Sequence, residues 1–189
     1  MDFLNWRNIL AILVGGLIAG LVLGGINLYN QKQKESIAQK LYIAEKLISE
    51  GKVNEVESLE IPPPSAGLVE LKLGDYFAGK KEWDKALIHL RKAQEILKNS
   101  NSVLYYFCAE KVAYILYLKG DYKKSLETLK GLGENIPNYC EVELLKAQNY
   151  ASLSLYDKME DILKRIEKVC SDKEIKLTAQ YLMAIYNKR

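Results

Sequence analysis

Apolar and polar positions divide the chain into two unequal parts. Ile9–Ile26 (ILAILVGGLIAGLVLGGI) is eighteen residues without a charge. As an α-helix rising about 1.5 Å per residue it covers roughly 27 Å; with Asn8, Asn27 and Leu28 it reaches the hydrocarbon thickness of a bilayer. A helix also satisfies its own backbone hydrogen bonds, as lipid demands. Trp6 and Tyr29 stand at the two ends, where amphipathic rings favour the interfaces, and Arg7 and Lys32 restore charge on either side. The run predicts one membrane-spanning helix. A cleaved signal peptide would carry a shorter apolar core followed by an A-x-A-like site. Five glycines would weaken the same run as a helix buried in a soluble core.

Beyond the run, apolar residues recur at helical spacing. Ile37, Leu41, Ala44, Leu47 and Ile48 extend the first helix to Glu50, and Gly51 ends it. A short helix near Asn54–Glu60 follows, and Pro62–Pro64 breaks the pattern. Helices are then predicted over Val69–Gly79, Trp83–Leu97, Val103–Lys119 (with Ser102 as a candidate cap), Tyr122–Lys130, Glu141–Leu153, Tyr156–Val169 and Lys173–Asn187. No stretch reads as a strand.

The helices repeat in pairs. Tyr122 and Tyr156 are 34 residues apart and open second helices after tight turns; Ala113 and Ala147, and Leu129 and Leu163, keep the same spacing. Period 34 is that of the tetratricopeptide repeat. Gly74, Trp83, Ala86 and Ala93 take its small and aromatic positions in the preceding pair, which is offset by five extra residues that fit the loop Asn99–Ser102. Gly120-Asp121-Tyr122 and Pro137 match its turn and closing proline. Small residues let paired helices approach, and no pair buries its apolar face alone, so several must stack. Ala44, Gly51 and Val56 mark a degenerate leading repeat. The expected fold is all-α: a short tail (1–8), a transmembrane anchor (9–28), a membrane-proximal helix with the degenerate repeat (29–64), and a tetratricopeptide-like α-solenoid (65–189). It holds about three to four helix pairs, with Lys173–Asn187 as a C-terminal capping helix.

Two sites of contact follow. Gly16, Gly20 and Gly24 lie on one face of the anchor and would let a second helix approach closely; glycine is also common in spanning helices generally. In the repeats, the first helix of each pair lines the concave face. The register places Leu71, Asp75 and Ala78 there, then Phe107, Glu110, Tyr114 and Tyr117, then Leu144, Gln148 and Ser152. A peptide would lie across them with aromatics as anchors. Tyr114 and Tyr117 have packing against a neighbouring pair as the rival reading. A basic carboxylate clamp is ruled out at its first positions by Leu71 and Asp75.

Charge changes little. The chain has 27 basic and 24 acidic residues, a net +3, interleaved rather than clustered, which gives no nucleic-acid surface. The three cysteines, Cys108, Cys140 and Cys170, carry no metal or framework spacing. Buried thiols are the first reading and lean to a reducing compartment; one disulfide is the second. His89, the single histidine, precedes the core Leu90 and reads as a helix-surface residue rather than a catalytic base. Neither a phosphate-binding glycine loop nor H-E-x-x-H occurs. No catalytic, cofactor-binding or metal-ligating set is expected, and no enzyme.

The layout of short tail, spanning helix, Tyr42 and Ser49-Glu50-Gly51-Lys52 at the helix end, and about three degenerate repeats resembles the bacterial tetratricopeptide-like ancillary subunit of the Sec translocon. The resemblance covers nearly the whole chain, though this sequence lacks that family's long basic N-terminal tail. It implies a single-pass inner-membrane protein with its N-terminus in the cytoplasm and its repeats outside, partnered by the translocon and envelope chaperones. Lys32, Lys34, Lys40 and Lys46 point the other way under the positive-inside rule. The expected function is a membrane-anchored protein–protein adaptor in translocation or envelope assembly. The alternative is a structural subunit of another membrane complex held, or self-associated, through the glycine face of the anchor.

Overall fold

A computed structural model describes the backbone of residues 6–100 and 102–186, and the side chains of residues 26–100 and 103–186. The described chain is all-helical. Its helices are α1 (Trp6–Ser49), α2 (Val53–Val56), α3 (Ser65–Gly79), α4 (Trp83–Leu97), α5 (Ser102–Leu118), α6 (Tyr122–Lys130), α7 (Tyr139–Ser152), α8 (Tyr156–Val169) and α9 (Lys173–Tyr186). The predicted helices match to within a few residues. The one near Asn54–Glu60 is shortened to a single turn because the backbone leaves helical form ahead of Pro62–Pro64.

The first helix runs unbroken for 44 residues, about 66 Å. The predicted span Ile9–Ile26 therefore passes directly into the wall of the repeat domain. The side chains of that span before Ile26, and the packing face Gly16, Gly20 and Gly24 with them, lie outside the described residues. Among the described residues, no helix is long and apolar enough to cross a membrane.

One backbone device recurs four times. Gly51, Lys81, Gly120 and Ser154 each adopt positive φ at the end of a first helix. At each, that residue's N–H donates to the carbonyl three back, and the next N–H donates to the carbonyl five before it. The bonds are Gly51 to Ile48 and Lys52 to Leu47; Lys81 to Ala78 and Glu82 to Phe77; Gly120 to Tyr117 and Asp121 to Leu116; Ser154 to Ala151 and Leu155 to Tyr150. These are Schellman closures. The second helix starts two residues later, at Val53, Trp83, Tyr122 or Tyr156. The leading repeat, α1–α2, thus shares the turn of the others.

Equivalent positions carry equivalent burial. Ala44, Gly74, Ala113 and Ala147 are all buried on first helices, and Leu90, Leu129 and Leu163 are buried on second helices. At Gly74 an added Cβ would stand 2.6 Å from Leu90 Cγ, so the missing side chain sets the α3–α4 distance. From α3 onward each helix packs chiefly on its neighbours in the chain, while α1 packs on α3, α5 on α7 and α7 on α9. That nearest-neighbour arrangement is consistent with an α-solenoid.

Cys140, at the start of α7, and Cys170, just after α8, form a disulfide. This selects the second of the two sequence readings for that pair. It closes the end of α7–α8 opposite the Ser154 turn. Cys108 is a buried free thiol, as the first reading had it, and burial pushes its pKa up to about 11.

Candidate functional site

The first helices α1, α3 and α5 lie along one face of the array. On α5, Val103, Phe107, Lys111, Tyr114 and Leu118 follow one another at three- and four-residue steps, and the four apolar members are exposed. On α3 the facing row is Leu68, Leu71, Asp75 and Ala78. On α1 it is Leu41, Glu45 and Ile48.

Two clefts open along these rows and share Asp75. One, of 260 Å³, lies between α1 and α3 and is walled by Leu41, Ala44, Ile48, Leu68 and Leu71. The other, of 180 Å³, lies between α3 and α5 over Trp83 and Leu90, with Ala78, Tyr114 and Leu118 at its mouth. The first-helix pairs α1–α3, α5–α7 and α7–α9 pack directly, whereas the direct contact of α3 with α5 is weaker.

The charges on this surface are paired across the helices. Lys72 Nζ lies 2.6 Å from Glu45 Oε1, joining α3 to α1, and Lys111 Nζ lies 2.8 Å from Asp75 Oδ1, joining α5 to α3. Each pair is solvent-exposed and contributes little to stability. Its effect on recognition is larger: both cations of the groove are engaged by the groove's own carboxylates. What remains to meet a ligand is apolar and aromatic.

The sequence-predicted residues divide accordingly. Leu71, Asp75, Ala78 and Tyr114 line the clefts. Phe107 is exposed on the same row of α5. Tyr117 is half-buried: its ring meets Tyr122 at 5.5 Å and Tyr114 at 6.4 Å, and it packs on the α5–α7 core. It supports Tyr114 from behind, which favours the rival packing reading for that tyrosine. Glu110 accepts from Asn138 Nδ2 at 2.6 Å, and burial outweighs that bond to hold its carboxyl above the usual range. Gln148 is half-buried on α7, with Leu144 packed into the terminal core, and neither lines either of these two clefts. Leu41, Leu68, Lys72, Lys111 and Leu118 were missed. Leu68 and Leu41 extend the same helical register, so that signal was present. The pairing of Lys111 with Asp75, 36 residues earlier, had none.

Three buried polar clusters hold the helices in register. Glu70, on α3, meets His89 Nδ1 at 2.8 Å and Lys92 Nζ at 2.5 Å, both on α4. His89 also stacks on Phe77, with ring centroids 5.2 Å apart. The helix-surface reading of His89 is therefore corrected: its neighbour α3 covers the ring and supplies a carboxylate. Burial pushes Glu70 up, but the bonds from His89 and Lys92 outweigh it and leave the carboxyl below its ordinary value. Ser125 on α6 donates to the Ala113 carbonyl and accepts from Asn149 of α7 at 3.0 Å, stitching α5, α6 and α7. Glu143 is buried between Lys146 at 2.9 Å and Arg165 of α8 at 3.2 Å. Among the described residues, no group of three or more metal-ligating side chains gathers.

No family model, no curated protein and no solved structure matches the chain.

Proposed function

We propose that the chain is a membrane-anchored, non-enzymatic adaptor whose tetratricopeptide-like repeats dock an apolar protein segment in the groove of α1, α3 and α5. The observation that carries this reading is the groove itself. It is an apolar and aromatic surface on three alternate helices, with its cations satisfied by Glu45 and Asp75. Such a surface suits a segment that offers apolar side chains and no net charge. A charged C-terminal tail would find Lys72 and Lys111 already engaged.

The anchor reading rests on Ile9–Ile26 and on the helix that runs through it to the groove wall. From Ile26 to Leu41 that helix rises about 22 Å. The groove would stand close to the bilayer, where partners in translocation or envelope assembly are found. The disulfide favours an extracytoplasmic repeat domain, because such bonds persist in oxidising compartments. Two of the juxtamembrane lysines have structural roles that are independent of topology. Lys40 donates to the Glu60 carbonyl at 2.6 Å, and Lys46 lies 4.0 Å from Glu50. Translocon subunits and envelope chaperones are the partner class this reading points to.

In-cell photo-crosslinking tests it. A benzophenone side chain at Tyr114 should yield discrete adducts with membrane or envelope proteins, in the membrane fraction. The same side chain at Ile88, exposed on α4, should not. Identical adducts from both positions, or none from position 114, would remove the groove as the docking site. Acid-trapped thiol labelling in the same cells should find Cys140 and Cys170 oxidised; a reduced pair would place the domain in the cytoplasm.

A further inference from the structure

Val69, Cys108 and Val142 hold one position on α3, α5 and α7, by the 34-residue period and the five-residue insertion. All three are buried. On α5 and α7 the second helix of the preceding pair covers that position. Cys108 shares a core with Ala93 and Leu97 of α4. Val142 shares one with Leu132 and Ile136, from the turn and loop that follow α6. These covering residues are apolar and four apart, at the same count from Trp83 and from Tyr122.

The leading pair cannot supply them. At the same count from Val53 stand Pro63 and Gly67, and the backbone leaves helical form after Val56. So α4 packs on α5 and α6 on α7, whereas the direct contact of α2 with α3 is weaker. That side of α3 opens into a cleft of 470 Å³, larger than either cleft of the first-helix groove. Its apolar walls are Val56, Leu59, Ile61, Val69, Leu73 and Ile96. Leu59 and Ile61 border it without filling it. The sister pairs show what covers this surface: apolar residues four apart on a second helix.

Charge narrows the occupant further. The one cation lining the cleft, Lys92, is engaged by Glu70 at 2.5 Å. Glu57 also lines it, and Glu55 and Glu60 flank it in the chain. All three are exposed, and none has an ion-pair partner among the described residues. The charge left to meet a ligand here is negative, unlike that of the first-helix groove.

We propose that this cleft receives a basic amphipathic helix of a partner protein. Two apolar residues four apart would take the places that Ala93 and Leu97 take in the next pair, with lysines or arginines toward Glu55, Glu57 and Glu60. The partner completes the leading pair in trans. This site rests neither on the membrane anchor nor on docking in the groove of α1, α3 and α5.

The test is fluorescence anisotropy on the full chain in non-ionic detergent. The probe is a labelled peptide of about 15 residues, long enough to form a helix, with two leucines four apart on one face and lysines on the other. It should bind at least about tenfold more tightly than the same peptide with glutamates in place of the lysines. Glu57→Lys with Glu60→Lys, both on the surface, should reverse that preference while leaving circular dichroism unchanged. A proline between the two leucines should abolish binding. A benzophenone beside the leucines should crosslink to α3, α4 or residues 56–61. No binding, equal affinity for the two peptides, or a preference that survives the charge reversal overturns the proposal. Binding that survives the proline overturns the helical occupant, and adducts confined to the Tyr114 row of α5 overturn the cleft as its site.

Discussion

Lys81 and Ser154 occupy the left-handed backbone position that Gly51 and Gly120 fill in the sister turns, with φ of 61° and 58°. A Cβ in that region costs about 1–2 kcal/mol, and glycine avoids the cost at some expense in unfolded-state entropy. Lys81→Gly and Ser154→Gly should each stabilise the protein by up to about 1 kcal/mol, read as a higher urea midpoint with an unchanged slope. Glu70 gives a pH-dependent prediction. Its folded-state pKa lies below its ordinary value, so the stability it contributes is present above about pH 4.5. That stability is lost as pH falls through the lower, folded value. Glu70→Gln should therefore lower stability at neutral pH and flatten its decline below pH 4.5, measured by denaturant melts across that range.

At the scale of elements, α3 and α4 owe their close approach to Gly74 beneath Leu90, and to Gly67, where an added Cβ would stand 2.7 Å from Leu97 Cγ. Leu90 and Leu97 are themselves buried and have little room to yield. Gly74→Val should cost about 2–3 kcal/mol through overpacking, seen as a lower thermal midpoint with helix content retained. The pair α7–α8 is held differently. The Ser154 turn joins one end, and the Cys140–Cys170 bond, spanning 30 residues of sequence, joins the other. Removing that bond with Cys140→Ser and Cys170→Ser together should cost about 3–4 kcal/mol on the loop-entropy account, measured by chemical denaturation.

Across the whole molecule, nearest-neighbour packing means that stability is held locally rather than in one shared core. Reducing the disulfide should accordingly accelerate amide exchange in α7, α8 and α9 while α3 and α4 keep their protection. Uniform loss of protection along the chain would mean that the helices unfold as one unit. The unbroken α1 matters at the same scale. A rigid helix from the apolar run to the wall of the first cleft fixes the groove at a set distance from Ile26, which a loop would not do.

Much of the architecture was legible in the chain. Helical periodicity located the helices, because each buries one stripe and exposes another. The 34-residue spacing of Ala113 with Ala147, and of Leu129 with Leu163, exposed the pairing, because stacked units demand the same small and large residues at the same contacts. The first-helix register put Leu71, Asp75, Ala78 and Tyr114 on one face, and these four residues line the two clefts, whereas Gln148 lines neither. The sequence did not separate Tyr114 from Tyr117: both lie on one side of α5, and the outcome depended on Tyr122 of the next helix. It also misread His89, because the covering carboxylate comes from Glu70, nineteen residues away. By itself, the order of residues determined which segments are helical, where they turn and how they repeat, since these follow from local propensity and from periods within one helix. Only the tertiary structure decided which charges pair, that Cys140 meets Cys170, and that α9 turns apolar residues outward. Those are relations between residues distant in the chain, set by how one helix lies against another.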